Sequence, residues 1–170
     1  SDRDELMRRA DVALYAAKHQ GKGVARYYDE ELDRAQLRRK DIESGLRKGL
    51  AQELFKLHYQ PIVDLSTGQT HAYEALLRLE TPELGHVSPV EFIPVAEDCG
   101  IISEIGDWVT QTSCKAAVRW PNDLCVAVNV SSLQLRSHRI LTVVTQALAE
   151  SNLPASRLEL ELTESALVEN

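Results

Sequence analysis

The feature that most constrains this chain is an alternation, from residue 57 onward, of short segments with two-residue periodicity and longer segments with helical periodicity. The pattern predicts strands at 57–64, 71–79, 124–131 and 157–163, with helices near 88–98, 101–119 and 137–151. Strands and helices in alternation build a mainly parallel sheet covered by helices, an α/β architecture. The first connection is too short for a crossover. Ser66-Thr67-Gly68-Gln69 suits a hairpin, so the first strand is expected antiparallel to the second.

Upstream, Leu6, Ala10, Ala13, Leu14 and Ala17 recur at helical spacing, with Asp2 or Asp4 to cap the start and Gly21 and Gly23 to end it. Val24 to Tyr28 reads as a short strand. Residues 29–53 read as a charged connecting helix with Leu32, Ala35, Ile42, Leu46 and Leu50 along one side. The chain therefore divides at 1–28, 29–53 and 54–170. Charge follows the same division: residues 1–56 carry 13 basic and 11 acidic side chains, whereas 57–170 carry 6 and 15. An acidic domain repels polyanions, which argues against a nucleic-acid polymer as partner. A small phosphorylated ligand remains open if a metal ion bridges the like charges.

With 44% hydrophobic and 26% charged residues, the composition is that of a globular protein. Its longest apolar runs, such as Leu124 to Val128, fall far short of the roughly 18 residues of a membrane span. The expected location is the cytoplasm, with no membrane contact in this segment, which leaves room for an anchor in an upstream domain. Cys99, Cys114 and Cys125 match neither a disulfide framework nor a Cys-x-x-Cys metal site, so reduced thiols are expected. The opening Ser1-Asp2-Arg3-Asp4, with Met7 the single methionine, suggests a piece of a longer protein.

Side chains alternate across a strand, so each strand divides into two faces. Tyr73, Ala75, Leu77 and Leu79 share one face of the second strand, and Ala72, Glu74, Leu76 and Arg78 the other. In the third, Val126, Val128 and Val130 oppose Cys125, Ala127, Asn129 and Ser131. In the fourth, Leu158, Leu160 and Leu162 oppose Glu159, Glu161 and Thr163. Gln60 shares a face with His58, Ile62 and Asp64 in the first. Strands that are apolar outside and polar toward their C-terminal ends suit a (β/α)8 barrel, whose catalytic groups gather at that rim. Glu74, Asn129 and Glu161 would reach it together and offer hard oxygen donors suited to Mg²⁺ or Mn²⁺. Taken singly, each has an ordinary alternative. Glu74 could pair with Arg78, Asn129 could cap a strand end, and Glu161 with Glu164 could open the next helix.

His58-Tyr59-Gln60-Pro61-Ile62-Val63-Asp64 followed by Tyr73-Glu74-Ala75-Leu76-Leu77-Arg78 resembles the start of EAL domains, the cyclic di-GMP phosphodiesterases. The ordered set continues with Ser88-Pro89-Val90-Glu91-Phe92-Ile93-Pro94, Gly106-Asp107-Trp108-Val109, Val128-Asn129-Val130-Ser131 and Glu159-Leu160-Glu161-Leu162-Thr163-Glu164, so the resemblance spans residues 46–170. Leu79 departs from the family, where many members carry Trp, and this bears on packing. Ala10-Asp11-Val12-Ala13-Leu14-Tyr15-Ala16-Ala17-Lys18 with Gly21-Lys22-Gly23 resembles the C-terminal tail of a GGDEF domain, the diguanylate cyclase fold. Only its last helix and strand are expected here. Without the Gly-Gly-Asp-Glu-Phe loop, no cyclase activity is expected from this chain.

The resemblance implies a barrel that hydrolyses cyclic di-GMP to linear pGpG. It implies Glu74, Asn129 and Glu161 as ligands of Mg²⁺ or Mn²⁺, Glu164 as a brace for the loop after the following strand, and Gln60 and Arg78 as contacts to the ligand. Residues 57–170 are fewer than half of the about 250 in a whole barrel. The family's aspartate pair, catalytic lysine and later glutamate would lie downstream. The expected molecule is thus a partial TIM-like barrel, cut after about four strands and inactive as a fragment. The alternatives are a receptor that binds cyclic di-GMP without hydrolysis and a dimerisation module. A homodimer is expected, because an unclosed barrel exposes strand edges.

Overall fold

The computed structural model describes residues 2–19, 24–121, 124–137 and 139–162. Two helices, α1 (Asp2–His19) and α2 (Glu30–Gly49), precede strands β1 (Phe55–Val63), β2 (Thr70–Thr81) and β3 (Gly85–Val87). Then come α3 (Pro89–Asp98), α4 (Ile102–Ala117), β4 (Cys125–Val130), α5 (Ser132–Arg136), α6 (Arg139–Ser151) and β5 (Leu158–Leu162). A single 3-10 turn, Ala155–Arg157, leads into β5.

The sheet is mixed and open, in the order β1-β2-β4-β5, with β3 paired to the end of β2. β1 runs antiparallel to β2, from Phe55 opposite Leu79 to Val63 opposite Thr70, while β2, β4 and β5 are mutually parallel. The expected hairpin is therefore present, and Asp64 organises it. One carboxylate oxygen of Asp64 accepts hydrogen bonds from the Ser66 and Thr67 amides at 2.7 and 3.1 Å. Gly68, at φ +69°, supplies the left-handed residue that closes the turn.

One apolar core lies between the sheet and its helices. Ala75 and Leu79 of β2 and Val126 and Val128 of β4 meet Phe92 of α3 and Ile105, Val109, Cys114 and Ala117 of α4. Leu79 is fully buried there, consistent with a packing role for that position. Arg157, itself buried, fastens the lower edge. Its guanidinium donates to the carbonyls of Ala117 at the end of α4 (2.7 Å) and Leu124 before β4 (3.0 Å). The outer face of β5 is less covered: Leu160 and Leu162 are 41% and 45% exposed.

α2 begins at Asp29, whose side chain caps the Leu32 amide at 2.8 Å, and carries Arg47 and Lys48 in its last turn. Its buried stripe is Ile42, Gly45, Leu46 and Gly49. A Cβ at Gly49 would stand 2.4 Å from the Phe55 ring, so glycine here permits the helix to sit directly on β1. Ion pairs Arg38–Glu91 and Arg39–Asp98 tie its outer side to α3.

Two expectations need correction. Residues 24–28 form no strand, and Tyr27 is 90% exposed. The aromatic content of that segment serves side-chain packing instead: Tyr28 lies under the guanidinium of Arg9 and donates its hydroxyl proton to Asp33 at 2.8 Å. The connecting helix stops at Gly49, because residues 50–53 turn, ending with Glu53 at φ 54°, to redirect the chain into β1. The helix expected near 137–151 is present as α6, and the short α5, which was not expected, precedes it. The predicted stop at Gly21 and Gly23 lies outside the described residues. Among the described residues no helix is long and apolar enough to cross a membrane.

Candidate functional site

Parallel pairing brings the inner faces of β2, β4 and β5 into one polar strip. Glu74 pairs with Ala127, and Asn129, two residues further along β4, pairs with Glu161 of β5. From the other side, Gln60 of β1 stands directly opposite Glu74. Small side chains lie beneath: Ala72 and Ala127 are fully buried. Alternation thus places Glu74, Asn129 and Glu161 on one surface, as the strand pattern predicts, and the β1–β2 pairing adds Gln60 to it.

Two of these residues touch. The Asn129 side-chain amide donates to Glu74 Oε1 at 2.7 Å. Glu161 is linked electrostatically: burial, then the Glu74 and Glu159 carboxylates, push its pKa above the ordinary glutamate value. Arg78, four residues beyond Glu74 on the same face, turns its guanidinium back to the Leu77 carbonyl at 2.9 Å and makes no bond to Glu74. The Glu74–Arg78 pairing that would have explained Glu74 structurally is absent. Glu164 lies outside the described residues.

Among the described residues no group of three or more His, Cys, Asp or Glu could hold a metal ion. The donor set here is instead two carboxylates and an amide. That set fits a divalent cation. A carboxylate whose ionisation is opposed by burial and by a second carboxylate is relieved by a dication between them. The amide of Asn129 presents either a donor or an acceptor after a half-turn of its terminal torsion, so its oxygen can replace the nitrogen facing Glu74.

A cavity of about 220 Å³ lies between β2 and helices α3 and α4, lined mostly by apolar residues such as Leu77, Ile93, Ile105 and Val109, and also by Arg78, Asn129 and Gln134. Strand alternation does not single out Gln134 or Gly106, which lie on helices. A signal for Gln134 was nonetheless present: Ser131-x-x-Gln134 directly after Asn129 is a capping-box pattern.

Residues 43–170 match the family model described as EAL domain. The uncharacterized protein y4lL of Sinorhizobium fredii is 44% identical over 166 residues, 98% of this chain and 20% of its own length. The cyclic di-GMP phosphodiesterase PdeR of Escherichia coli is 35% identical over 173 residues, 100% of this chain and 26% of its own. MucR of Pseudomonas aeruginosa, a bifunctional diguanylate cyclase/cyclic di-GMP phosphodiesterase, is 36% identical over 167 residues, 96% of this chain and 24% of its own. The solved PaMucR phosphodiesterase in complex with c-di-GMP superposes with a TM-score of 0.72 at 36% identity, covering 76% of this chain and 54% of that one. The chain thus spans about a fifth to a quarter of the length of these curated relatives.

Proposed function

Because this chain belongs to the EAL domain family, we propose that it is the N-terminal half of the phosphodiesterase domain of a protein that hydrolyses cyclic di-GMP to pGpG. The observation that carries this reading is the Asn129–Glu74 contact, with Glu161 in register beside Asn129. Three oxygen-bearing side chains from three parallel strands meet at one end of the sheet, where a barrel of this class does its chemistry.

In this reading Glu74, Asn129 and Glu161 hold Mg²⁺ or Mn²⁺. A cation held there would polarise the phosphodiester and lower the pKa of a water. Arg78 gives up its bond to the Leu77 carbonyl and offers its two-pronged guanidinium to a phosphate. Gln60, opposite Glu74, supplies an amide donor and acceptor at the ligand's edge. Glu164, by the family resemblance, would brace the loop after the next strand. Water adds across one phosphorus–oxygen bond: its hydroxyl goes to phosphorus and its remaining proton to the leaving 3′ oxygen. The acidic strip makes cation binding a precondition for an anionic substrate, because Glu74, Glu159 and Glu161 repel phosphate unaided.

Residues 1–28 are proposed as the tail of a GGDEF domain and 29–53 as its connection to the EAL domain, in a cytoplasmic portion of the protein. In support, the match to the bifunctional MucR extends over 96% of this chain, well beyond residues 43–170. The open edges of β1 and β5 favour self-association.

The test is incubation of the full-length protein with cyclic di-GMP and Mg²⁺ or Mn²⁺, with pGpG followed by chromatography. Metal-dependent product supports the enzyme. Tight binding of cyclic di-GMP without product would replace it with the receptor reading.

A further inference from the structure

Asn129 is the penultimate residue of β4, and the turn that leaves the strand is unusually constrained for an exposed rim. Ser131, 6% exposed, ends the strand and caps α5. The Gln134 side-chain oxygen accepts from the Ser131 amide at 3.1 Å, and the Ser131 hydroxyl accepts from the Gln134 amide at 3.4 Å. This reciprocal pair fixes both ends of the turn. Gln134 is also buried, at 6% exposure, beneath a helix only five residues long that has little packing of its own.

The reason it can be buried is Gly106. A Cβ on Gly106 would lie 1.8 Å from Gln134 Nε2 and 2.6 Å from its Cδ, both far inside contact distance. The Gln134 amide therefore rests on the backbone of α4, which is anchored in the core through Ile105 and Val109. Gly106 in turn has its carbonyl engaged by the Thr110 hydroxyl at 2.8 Å. A continuous set of contacts runs from the core through Gly106 and Gln134 to Ser131, two residues from Asn129. Asn129 and Gln134 also border the same cavity as Arg78.

We infer that Gln134, seated on Gly106, is a positioning residue that holds the end of β4 so that Asn129 faces Glu74. The inference rests on the reading of Glu74, Asn129 and Glu161 as cation ligands. Side chains that orient a ligand without touching the metal typically contribute about 10- to 100-fold to metal affinity. Without the Gln134 oxygen, the Ser131 amide is left buried and unpaired, and the turn relaxes to find water. The Asn129 carboxamide then loses its fixed distance from Glu74.

The test is calorimetric titration of Mn²⁺ alone into the full-length protein carrying Asn129→Ala, Gln134→Ala, or both, with urea midpoints measured alongside. Each single variant should weaken Mn²⁺ binding about tenfold or more. The double variant should bind no more weakly than Asn129→Ala, since Gln134 acts through that side chain. If Gln134→Ala fails to fold, Ser131→Ala, which removes one hydroxyl from the same capping pair, takes its place in the cycle. Weakening by Asn129→Ala with none from the capping variant overturns the inference. So does an equal loss in both backgrounds, which would mark a purely structural role. No loss from Asn129→Ala overturns instead the assignment of the ligands.

Discussion

The amide nitrogen of Asn129 lies 2.7 Å from Oε1 of Glu74, although 55 residues and two helices separate them in the chain. The contact is diagonal across a parallel pair, because Glu74 pairs with Ala127, not with Asn129. Diagonal neighbours on a sheet face are about 7–8 Å apart at the backbone, within reach of a long side chain. Glutamate on β2 and asparagine on β4 close that gap, and an aspartate at position 74 would be one methylene short.

The first prediction concerns these donors. In the full-length protein, Glu74→Ala or Glu161→Ala should abolish hydrolysis of cyclic di-GMP, a loss well beyond the roughly 10- to 100-fold typical of residues that only orient ligands. Each substitution removes a charged donor from a strip that otherwise repels phosphate. Chromatographic assay of pGpG is the measurement, and wild-type turnover in either variant sinks the assignment.

Residues 1–170 alone should release no pGpG from cyclic di-GMP with either Mg²⁺ or Mn²⁺. The open sheet presents its donors from one side of the substrate, whereas in-line displacement needs charge compensation at both the attacking and leaving oxygens. Product that vanishes in Glu74→Ala would show that one chain, or two together, completes a site.

Association should accompany that inactivity. β1 and β5 are open edges of the described sheet, and Leu160 and Leu162 leave apolar surface beside one of them. Light scattering across a dilution series of residues 1–170 should report dimers or larger species. A monomer that unfolds cooperatively at micromolar concentration contradicts this.

The hairpin turn should carry a pH signature. Hydrogen bonds from the Ser66 hydroxyl and from the Ser66 and Thr67 amides hold the Asp64 pKa below the usual aspartate value. A carboxyl depressed on folding stabilises the folded state above its unfolded pKa of about 3.9, and that contribution disappears as pH falls through the lower, folded value. Urea midpoints of wild type and Asp64→Asn should therefore differ at pH 7 and converge as the pH drops below about 3.9. A difference that is constant with pH would mean that the side chain's charge does not matter to the turn.

Local patterns in the sequence determined β1, β2, β4, β5 and most helices, the hairpin, the polar face and the family, because periodicity and turn chemistry act over a few residues. Position along each strand was enough to put Glu74, Asn129 and Glu161 on one surface, whereas Gln60 joins them through the pairing of β1 with β2. Other matters depended on what lies opposite in space. Val24 to Tyr28 has strand-like composition, yet it pairs with no strand among the described residues, and Tyr28 packs against Arg9 and Asp33 instead. Pairing register decided that Asn129 bonds Glu74, and that Glu161, half-buried, lies near enough to Glu74 for its ionisation to be opposed. The seat of Gln134 on Gly106 joins residues 28 apart in sequence, and only the packing of α5 over α4 reveals why one must be glycine. Sequence periodicity assigns a side chain to a face, whereas its partner is set by the three-dimensional approach of elements that no short-range pattern encodes.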